Sequence, residues 1–483
     1  MKVKDIIYPD EYILCEVDED SEFQRLVTDI NEASEEDILL IANSKKAPDF
    51  SANDLKVFAV ICDANTILPD NIPSIRVSNP RLAMSRAFYR YESPRLDGIK
   101  IIGITGTNGK TTTATLIKNV LAESGYRTGF IGTGKIEING VEINEENYSM
   151  TTPDPPLLYS ALRRMGDAGC DAIVMEVSSH ALALDKVAPL RFNIGVFTNL
   201  SPEHMDFHHN MEGYFSAKAK LFDQCDTAIF NIDDKYAKKA YDLCESRKIS
   251  TGILWRGDVW ASNPQNRGFD GVEYTYHGVD FSFKMKLPLP GIYNVYNSML
   301  AAAVCIELGC KPCEVKRIMG NTSLLPGRYE IIKDKISVII DYAHTSYAFE
   351  SIMKDLSKLK KDGRLTVVFG CGGNRDKNKR PIMAKIAEKY ADRIILTSDN
   401  SRTEDPKDII SDIIRGFERG CYEIKENRSE AIRCAILDAS DGDLVAIIGK
   451  GPEKYNIDCQ GYHAFDEREI VRSALRIRNG ESE

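Results

Sequence analysis

Residues 101–121, IIGITGTNGKTTTATLIKNVL, constrain this chain more than any other segment. An apolar run leads into a glycine-rich turn, and a stretch with helical periodicity follows. Backbone N–H groups of such a turn, backed by a helix N-terminus, attract phosphate oxygens. Lys110 would add a positive charge at the β- and γ-phosphates, and the Thr111 hydroxyl would bind Mg²⁺. The segment predicts a phosphate-binding loop formed by Gly106, Thr107, Asn108, Gly109, Lys110, Thr111 and Thr112.

The turn is shorter than the usual eight-residue P-loop pattern, because Ile104 stands five positions before Gly109. What remains is G-T-N-G-K-T-T. A purely structural turn is the alternative interpretation. The combination Gly-Lys-Thr-Thr after a buried strand favours the phosphate-binding one.

The composition is that of a globular protein with several domains. A chain of 483 residues is too long for one ordinary core. A net charge of −10 argues against a general nucleic-acid binder, and no apolar run is long enough for membrane insertion. Twelve cysteines are scattered without a disulfide framework, and the N-terminus lacks a signal-peptide core. We expect a cytoplasmic monomer in which the CxxC of Cys310 and Cys313 is a chance spacing.

The pattern of apolar runs predicts an α/β fold with three domains. Residues 1–97 resemble a small α/β domain and end in a polar linker with Pro94 and Gly98. Residues 98–327 alternate buried strands and helices, as expected of a P-loop ATPase-like parallel sheet. After PGRYE, residues 328–483 predict another α/β sheet of Rossmann-like type.

Polar side chains follow two predicted strands of the central domain. Glu176 ends the run DAIVMEV, and His204 and Asp206 lie in NLSPEHMDFHHN after another strand. Open parallel sheets bind ligands beyond the carboxyl ends of their strands. Mg²⁺ needs only one or two side chains in addition to phosphate. We therefore predict Thr111, Glu176 and His204 as magnesium ligands near the loop.

Many short motifs in the chain resemble those of the Mur ligases in order and spacing. They are GTNGKTTT, TTPDPP, EVSSHAL, NLSPEHMDFH, YFSAKAKLF, NVYNSMLAA, PGRYE, DYAHT, GCGGNRDKNKRP, DNSRTEDP and GKGPEKYN. The resemblance covers about residue 99 to the C-terminus and is closest to the branch that adds the third residue of the muramoyl peptide. It implies ATP-dependent amide formation for peptidoglycan, in which a carboxylate becomes an acyl phosphate before an amine attacks.

The resemblance also assigns roles to residues around the nucleotide. Lys110, Glu176, His204 and Lys218 match catalytic positions, and Lys218 matches a lysine that the family carbamylates, so that it presents oxygen towards Mg²⁺. Without the resemblance, Lys218 reads as a surface lysine. Asn297, Arg328, Asp341 and His344 match positions that hold ATP between the central and C-terminal domains. Asn297 and Asp341 can alternatively be read as helix or turn caps.

The C-terminal motifs indicate which amino acid is added. By resemblance, Arg375, Asp399, Asn400, Arg402, Gly449 and Glu453 bind meso-diaminopimelate. Arg402 suits the extra carboxylate that lysine lacks, because a guanidinium binds carboxylate bidentately. Ser401 replaces the proline of the D-N-P-R motif, and Pro452 stands where histidine is usual. Addition of L-lysine therefore remains the alternative.

The acceptor is predicted less directly than the chemistry. Thr151, Thr152, Ser178 and Lys186 match contacts of the UDP-N-acetylmuramoyl-L-alanyl-D-glutamate acceptor, with Lys186 in place of a common arginine. In the first domain, Ile30 and Asn31 stand where the family usually has serine and arginine near the uridine. A ligase with a different carboxylate acceptor and a nucleotide-binding scaffold without turnover are the remaining hypotheses.

Overall fold

The computed structural model describes residues 1–42, 56–143, 150–360 and 362–481. Its first sheet has five strands in the order β1-β5-β4-β3-β2, with β1 antiparallel to β5 and the others parallel. Asn79 caps the helix that follows, because its side chain accepts the Leu82 N–H at 3.1 Å. The elements are a 3₁₀ turn (Val3–Asp5), β1 (Tyr12–Cys15), β2 (Leu26–Val27), a 3₁₀ turn (Ile30–Glu32), β3 (Ile38–Leu40), β4 (Ala59–Asp63), β5 (Ser74–Val77) and α1 (Pro80–Glu92).

The second sheet carries the phosphate loop. Its strands are β6 (Lys100–Thr105), β7 (Thr128–Gly132), β8 (Lys135–Ile138), β9 (Val141–Glu142), β10 (Ala172–Glu176), β11 (Phe192–Phe197), β12 (Cys225–Asn231), β13 (Arg247–Gly252), β14 (Val259–Asn266), β15 (Val272–His277) and β16 (Ser282–Leu287). They lie in the order β16-β15-β14-β13-β12-β11-β6-β10-β7-β8-β9. The strands from β14 to β7 are parallel to one another, whereas β15 and β16 at one edge and β8 and β9 at the other are added in antiparallel pairing.

Helices cover both faces of this sheet. Strand β6 lies in the middle, and its side chains Ile101, Ile102 and Ile104 are buried, as in parallel strands covered on both sides. The helices are α2 (Lys110–Glu123), α3 (Pro155–Asp167), α4 (Ser179–Ala183), α5 (Met205–His208), α6 (Met211–Ala219), α7 (Lys235–Leu243), α8 (Tyr293–Glu307) and α9 (Pro312–Gly320), with 3₁₀ turns at Lys220–Gln224 and Gly268–Asp270.

The third sheet has the order β17-β18-β22-β19-β20-β21, and a separate hairpin pairs β23 with β24. Only β17 is antiparallel to its neighbour in the larger sheet. The elements are β17 (Glu330–Lys333), β18 (Ser337–Asp341), α10 (Ser346–Leu359), β19 (Leu365–Phe369), α11 (Lys379–Tyr390), β20 (Arg393–Leu396), α12 (Pro406–Ile414), β21 (Glu423–Ile424), α13 (Arg428–Leu437), β22 (Leu444–Ile448), β23 (Tyr455–Asp458), β24 (Gly461–Ala464) and α14 (Glu467–Arg478).

The predicted α/β fold class is confirmed, since three mainly parallel sheets alternate with helices. The boundaries after residues 97 and 327 stay a prediction. Within the described ranges, no helix is both long and apolar enough to cross a membrane. All twelve cysteines are free thiols, and Cys310 is buried whereas Cys313 is exposed.

Candidate functional site

The glycine-rich turn joins β6 to α2 at the centre of the second sheet. Gly106 and Gly109 have φ values of +145° and +86°, which side chains rarely adopt. A Cβ at Gly106 would lie 1.9 Å from the Thr198 hydroxyl, and one at Gly109 would lie 2.3 Å from Asn297 Oδ1. Glycine is therefore required at both positions, and the turn leaves the N-terminus of α2 facing an open cavity.

Lys110 and Thr111 start α2 at the cavity wall. Lys110 Nζ donates to the carbonyl oxygens of Gly106 and Thr107, both at 2.9 Å. Burial lowers the pKa of Lys110. The Thr111 hydroxyl donates to Glu176 Oε2 at 3.0 Å, so the helix start and the end of β10 share one polar contact.

Glu176 supplies a carboxylate directly beside the phosphate loop. It is fully buried at the end of β10, and its Oε1 accepts the Thr133 N–H at 3.1 Å. No three His, Cys, Asp or Glu side chains converge on one point in the described chain. A carboxylate and a hydroxyl nevertheless suit Mg²⁺, which takes its remaining ligands from phosphate and water. The donor set of Glu176 and Thr111 therefore fits magnesium bound together with a nucleotide.

His204 lies near this pair but in a different environment. It adopts a left-handed backbone conformation, with φ of 57°, immediately before α5. Burial lowers the pKa of His204 to about 3, so its imidazole is neutral at pH 7. Its ring packs edge-on against His180, with 4.8 Å between the ring centroids. A neutral imidazole is the form that can donate a lone pair to a metal.

Lys218, on α6, lies behind the phosphate loop rather than on the cavity surface. Only 1% of the residue is exposed, and its Nζ donates to the Gly106 carbonyl at 2.9 Å. The Tyr214 ring lies 4.7 Å from this nitrogen. Burial, and then the charge of Lys110, hold the pKa of Lys218 well below that of free lysine. The alternative of an ordinary surface lysine does not fit this position.

Arg328 and Asp341, which follow α9 in the chain, close the cavity from the side of the third sheet. Arg328 Nη2 donates to the Thr111 hydroxyl at 3.1 Å and its guanidinium lies 4.3 Å from the Tyr342 ring. Asp341, at the end of β18, accepts the backbone N–H groups of Tyr329 and Ala343 at 2.6 and 2.7 Å. Asp341 therefore fixes the turn that carries Arg328. This agrees with the alternative interpretation of Asp341 as a turn cap.

One acidic residue at this seam escaped the sequence analysis. Glu203 is buried, and its Oε1 lies 2.7 Å from His344 Nε2 on the third sheet. Burial alone would raise the pKa of Glu203, but the charge of His344 brings it well below its usual range. The position of Glu203 beside His204 in the motif NLSPEHMDFH is the sequence feature that could have identified it. Asn297 lies nearby on α8, with its Nδ2 donating to Asn294 at 2.9 Å.

The four residues matched to the acceptor lie beyond β10. Thr152 Oγ1 donates to the Glu176 carbonyl at 3.0 Å, and Ser178 caps α4 through the Ala181 N–H at 3.1 Å. Thr151 and Thr133 hydroxyls are 3.1 Å apart. Lys186 Nζ lies 2.6 Å from the Asp154 carboxylate. Thr152 and Ser178 thus have structural partners, while all four line the cavity.

A buried polar cluster on the third sheet contains four of the predicted amino-acid contacts. Asn400 Nδ2 donates to Glu453 Oε2 at 2.8 Å, and its Oδ1 accepts from Lys450 Nζ at 2.8 Å. Lys450 is fully buried and was not predicted. Burial alone would raise the pKa of Asp399, but the Lys450 and Arg428 charges lower it. A Cβ at Gly449 would lie 2.8 Å from Asp399 Oδ2, so these loops are closely packed.

Arg375 and Arg402 approach the same point of the cavity from two loops. A Cβ at Gly372 would lie 3.1 Å from Arg402 Nη1 and 3.8 Å from Arg375 Cγ. Arg402 Nη1 donates to the carbonyls of Gly373 and Asn400 at 2.9 and 3.2 Å. Burial and then the charge of Arg375 lower the pKa of Arg402. Within the described residues neither guanidinium forms an ion pair, so their charges are available to an anion.

One cavity of about 800 Å³ connects these groups. The phosphate loop and Glu176 of the second sheet line it together with Arg375 and Arg402 of the third sheet. Gly106 and Lys218 lie behind its wall. The remaining predicted site residues are on its surface: Thr107, Asn108, Gly109, Lys110, Thr111, Thr112, Thr151, Thr152, Glu176, Ser178, Lys186, His204, Asn297, Arg328, Asp341, His344, Arg375, Asp399, Asn400, Arg402, Gly449 and Glu453.

Comparison with known proteins gives two family matches and close relatives of full length. Residues 104–305 match the Mur ligase middle domain, and residues 327–451 match the Mur ligase, glutamate ligase domain. UDP-N-acetylmuramoyl-L-alanyl-D-glutamate--2,6-diaminopimelate ligase 1 of Clostridium acetobutylicum is 39% identical over 434 residues, covering 86% of each chain. The similarly named ligase of Chlorobaculum tepidum is 40% identical over 428 residues, covering 84% of this chain and 82% of its own.

A solved structure is similar along the whole chain. It is titled as a UDP-N-acetylmuramoyl-L-alanyl-D-glutamate--2,6-diaminopimelate ligase, and it aligns with a TM-score of 0.66 and 28% identity. The alignment covers 99% of each chain, so all three sheets have counterparts there.

Proposed function

The chain belongs to the Mur ligase family, whose members are ATP-dependent ligases that form C–N bonds, and from this premise we propose that it adds meso-diaminopimelate to UDP-N-acetylmuramoyl-L-alanyl-D-glutamate in peptidoglycan synthesis. ATP supplies the phosphoryl group that activates the acceptor carboxylate. Relatives bearing the name of this reaction are 39–40% identical over more than four-fifths of the chain. We further propose that the protein works as a cytoplasmic monomer.

The single observation that carries the proposal is the continuity of the cavity. A phosphate loop lines it together with two guanidinium groups, neither of which forms an ion pair with any residue that the structure describes. A ligase must hold an activated carboxylate between a nucleotide and an amine. Holding both reactants in one site converts a bimolecular step into an effectively unimolecular one. The arrangement suits this task better than a site for nucleotide alone.

In the first step, a carboxylate oxygen of the acceptor bonds to the γ-phosphorus while the bond to the ADP oxygen breaks. The protein contributes positioning and positive charge to such a transfer. We assign these tasks to Lys110, to Arg328 across the seam, and to the N-terminus of α2. Thr111, Glu176 and His204 would hold Mg²⁺, which neutralises phosphate charge when it is bound.

In the second step, the neutral amine nitrogen bonds to the acyl carbon, phosphate leaves with the electrons of the broken C–O bond, and the proton that the nitrogen loses passes to the departing phosphate. Water would hydrolyse the acyl phosphate in an open site, so closure of the seam matters. Arg328 reaching Thr111 and His344 reaching Glu203 keep the two sides together.

We propose that Lys218 is carbamylated. Burial lowers the pKa of Lys218 and so favours the neutral amine, which can attack CO₂ and release one proton to solvent. The product is a carboxylate beside Lys110, so the group that faces the Lys110 ammonium becomes an anion. A negative oxygen donor at this depth also suits a nearby magnesium ion.

The choice of diaminopimelate over lysine is assigned to Arg375 and Arg402. The distal carboxylate of diaminopimelate would pair with the two adjacent guanidinium groups, whereas lysine lacks that carboxylate and would leave both of them without an anion. Glu453 and Asp399 offer carboxylates for the ammonium groups of the same substrate.

A ligase with another carboxylate acceptor is the second candidate. The observation that favours it is in the first domain, where Asp29 Oδ1 accepts both the backbone and side-chain N–H groups of Asn31 at 2.9 Å. Asn31 therefore closes its own turn and offers no cation where the family has arginine.

One assay separates these candidates. ADP formation is measured with UDP-N-acetylmuramoyl-L-alanyl-D-glutamate and, in turn, meso-diaminopimelate, L-lysine and ornithine. We expect turnover that requires the acceptor and is highest with diaminopimelate. Turnover only with folate or other γ-glutamyl acceptors would replace the proposal by the second candidate, and a preference for lysine would remove the roles of Arg375 and Arg402.

A further inference from the structure

Two loops of the third sheet carry the two arginines of the cavity. The first arginine loop, residues 371–378, contains Arg375, and the second arginine loop, residues 399–405, contains Arg402. Arg402 and Asn374 have φ values of 54° and 52°, so both loops turn through left-handed conformations. Such loops hold their shape only where surrounding contacts fix them.

Backbone contacts join the two loops along their length. The Gly373 N–H donates to the Asn400 carbonyl at 2.9 Å, and a Cβ at Gly373 would lie 1.9 Å from the Ser401 carbonyl oxygen. Asn374 Oδ1 accepts the N–H and the hydroxyl of Thr403 at 3.2 and 2.9 Å. The separation of Arg375 and Arg402 therefore depends on how the loops are held together.

A buried ion pair lies directly beneath this junction. Arg380, on α11, has an exposure of 0%. Its Nη1 donates to Glu404 Oε2 at 3.0 Å, and its Nη2 donates to Glu404 Oε1 and to the Gly372 carbonyl, both at 3.2 Å. Glu404 Oε1 also accepts the Asn374 N–H. One carboxylate at the end of the second loop thus holds the first loop directly and through Arg380.

Arg380 has a second carboxylate partner that does not touch the loops. Asp412, on α12, accepts a hydrogen bond from Arg380 Nη1 at 2.9 Å. It also accepts one from Arg415 at 2.8 Å. Glu404 and Asp412 therefore make similar contacts with one guanidinium. They differ in that Glu404 alone is bonded to the first arginine loop.

We propose that the Arg380–Glu404 ion pair is a positioning device that fixes the distance between Arg375 and Arg402, and so determines the affinity for an amino acid with a distal carboxylate. The inference rests on the proposed function for the identity of that amino acid. It also explains how the second loop keeps its shape with Ser401 in place of proline: the constraint comes from a charge below the loop. Arg380 and Glu404 line no part of the cavity and act through the two arginines.

The test compares three proteins in the ADP assay. We expect Glu404→Gln to raise the KM for diaminopimelate about tenfold or more, because the amide has no negative charge and its NH₂ group cannot accept the second hydrogen bond from Arg380. The kcat, the KM for ATP and the KM for the acceptor should change less than about twofold, since those groups lie elsewhere in the cavity. Glu404→Asp should give a smaller increase in the same KM.

Asp412→Asn is the matched control. It removes a carboxylate from the same guanidinium and should lower the melting temperature, with all three KM values unchanged. Asn374→Ala is a second probe of the loop junction, because Asn374 is exposed and its loss does not disturb the core. We expect it to raise the KM for diaminopimelate about threefold.

The outcomes are distinguishable. An unchanged diaminopimelate KM in Glu404→Gln, or equal changes in Glu404→Gln and Asp412→Asn, would reduce the ion pair to a fold-stabilising contact. If Glu404→Gln does not fold, an unchanged KM in Glu404→Asp overturns the inference in the same way. Wild-type protein without diaminopimelate turnover would instead remove the proposed function, and this inference with it.

Discussion

Lys218 is a lysine buried beside a second buried lysine, Lys110, with a backbone carbonyl as its hydrogen-bond acceptor. Burying an ammonium group there without a counter-charge costs free energy. Conversion of Lys218 to a carbamate removes that cost and supplies an anion. We expect Lys218→Ala to lower kcat at least about a hundredfold, as for loss of an electrostatic group at the reacting phosphate. Added formate or acetate should restore part of the activity. Intact-protein mass spectrometry in bicarbonate should show one added CO₂ in wild type only.

Lys220→Ala provides the control for that change. Lys220 is two residues further along, and its Nζ binds the Asp185 carboxylate at 3.0 Å near the surface. Its removal should leave kcat within about twofold of wild type. Wild-type turnover by Lys218→Ala without added carboxylate would contradict the carbamate.

Glu404 makes the stability of the third sheet depend on pH. Hydrogen bonds from Arg380 lower the pKa of Glu404 to about 2, against 4.5 for a free glutamate. Because the folded-state pKa is the lower one, the stabilisation is complete above pH 4.5 and is lost as pH falls towards 2. The shift corresponds to about 3 kcal/mol at neutral pH. The difference in melting temperature between wild type and Glu404→Gln should therefore shrink between pH 7 and pH 3.

An exposed carboxylate should not behave in this way. Glu418 is 77% exposed and lies 3.7 Å from Lys385. Surface pairs of this kind contribute little, so Glu418→Gln should shift the melting temperature only slightly at any pH. A difference in melting temperature between wild type and Glu404→Gln that stays constant from pH 7 to pH 3 would contradict the assigned pKa.

At the scale of elements, the strands that the sequence predicted are those buried on both faces. The apolar run before the glycine-rich turn forms β6, and DAIVMEV contains β10, since continuous apolar runs have few other places in an α/β fold. Strand β14 was not predicted, because VWASNPQN is half polar and contains Pro264. Its partners in the antiparallel extension become known only once the sheet is assembled.

The same distinction holds for the site. Motifs placed Lys110, Glu176 and Arg402 around one cavity, because each motif already ties a residue to a strand end or loop. Glu203 and Glu404 escaped prediction because their importance depends on partners 141 and 24 residues away in the chain. Charge pairing of this kind is a tertiary property.

The loop that contains Arg328 packs against the loop that contains Glu453. Gly327 has φ of +63°, and a Cβ there would lie 2.1 Å from the Gly451 carbonyl carbon. Gly327→Ala would separate the two loops, which carry proposed contacts to ATP and to diaminopimelate. We therefore expect the KM values of both substrates to rise together, by about tenfold. Steady-state kinetics with each substrate varied in turn will measure this.

Gly309→Ala is the control that distinguishes the effect of the steric clash in Gly327→Ala from the effect of backbone strain. Gly309 also has positive φ, +94°, but nothing lies within 4 Å of the added Cβ. Both variants carry a left-handed alanine, which costs roughly 1–2 kcal/mol. Only Gly327→Ala should change the kinetics. If both variants or neither raise the two KM values, contact between the loops does not couple the substrates.

At the scale of the whole molecule, two polar contacts hold the second and third sheets together across the cavity. Arg328 reaches Thr111, and His344 reaches Glu203, so each contact joins a motif of one sheet to a motif of the other. A small number of buried polar contacts makes a closed arrangement specific, but also easy to open when one partner is lost. This is what a ligase that admits three substrates and excludes water requires.

His344→Ala tests this closure, because it removes the hydrogen-bond partner that the buried Glu203 carboxylate has on the third sheet, a cost of roughly 1–3 kcal/mol for the closed arrangement. We expect a larger radius of gyration by small-angle X-ray scattering of the variant. His463→Ala is the control, since His463 lies 2.9 Å from Asp458 in an exposed pair within one hairpin, and its loss should leave the scattering unchanged. Addition of ATP and Mg²⁺ should compact the wild type no further, because the contacts across the seam are already made. If His344→Ala scatters like wild type, Glu203 does not hold the two sheets together, and closure must depend on the bound nucleotide instead.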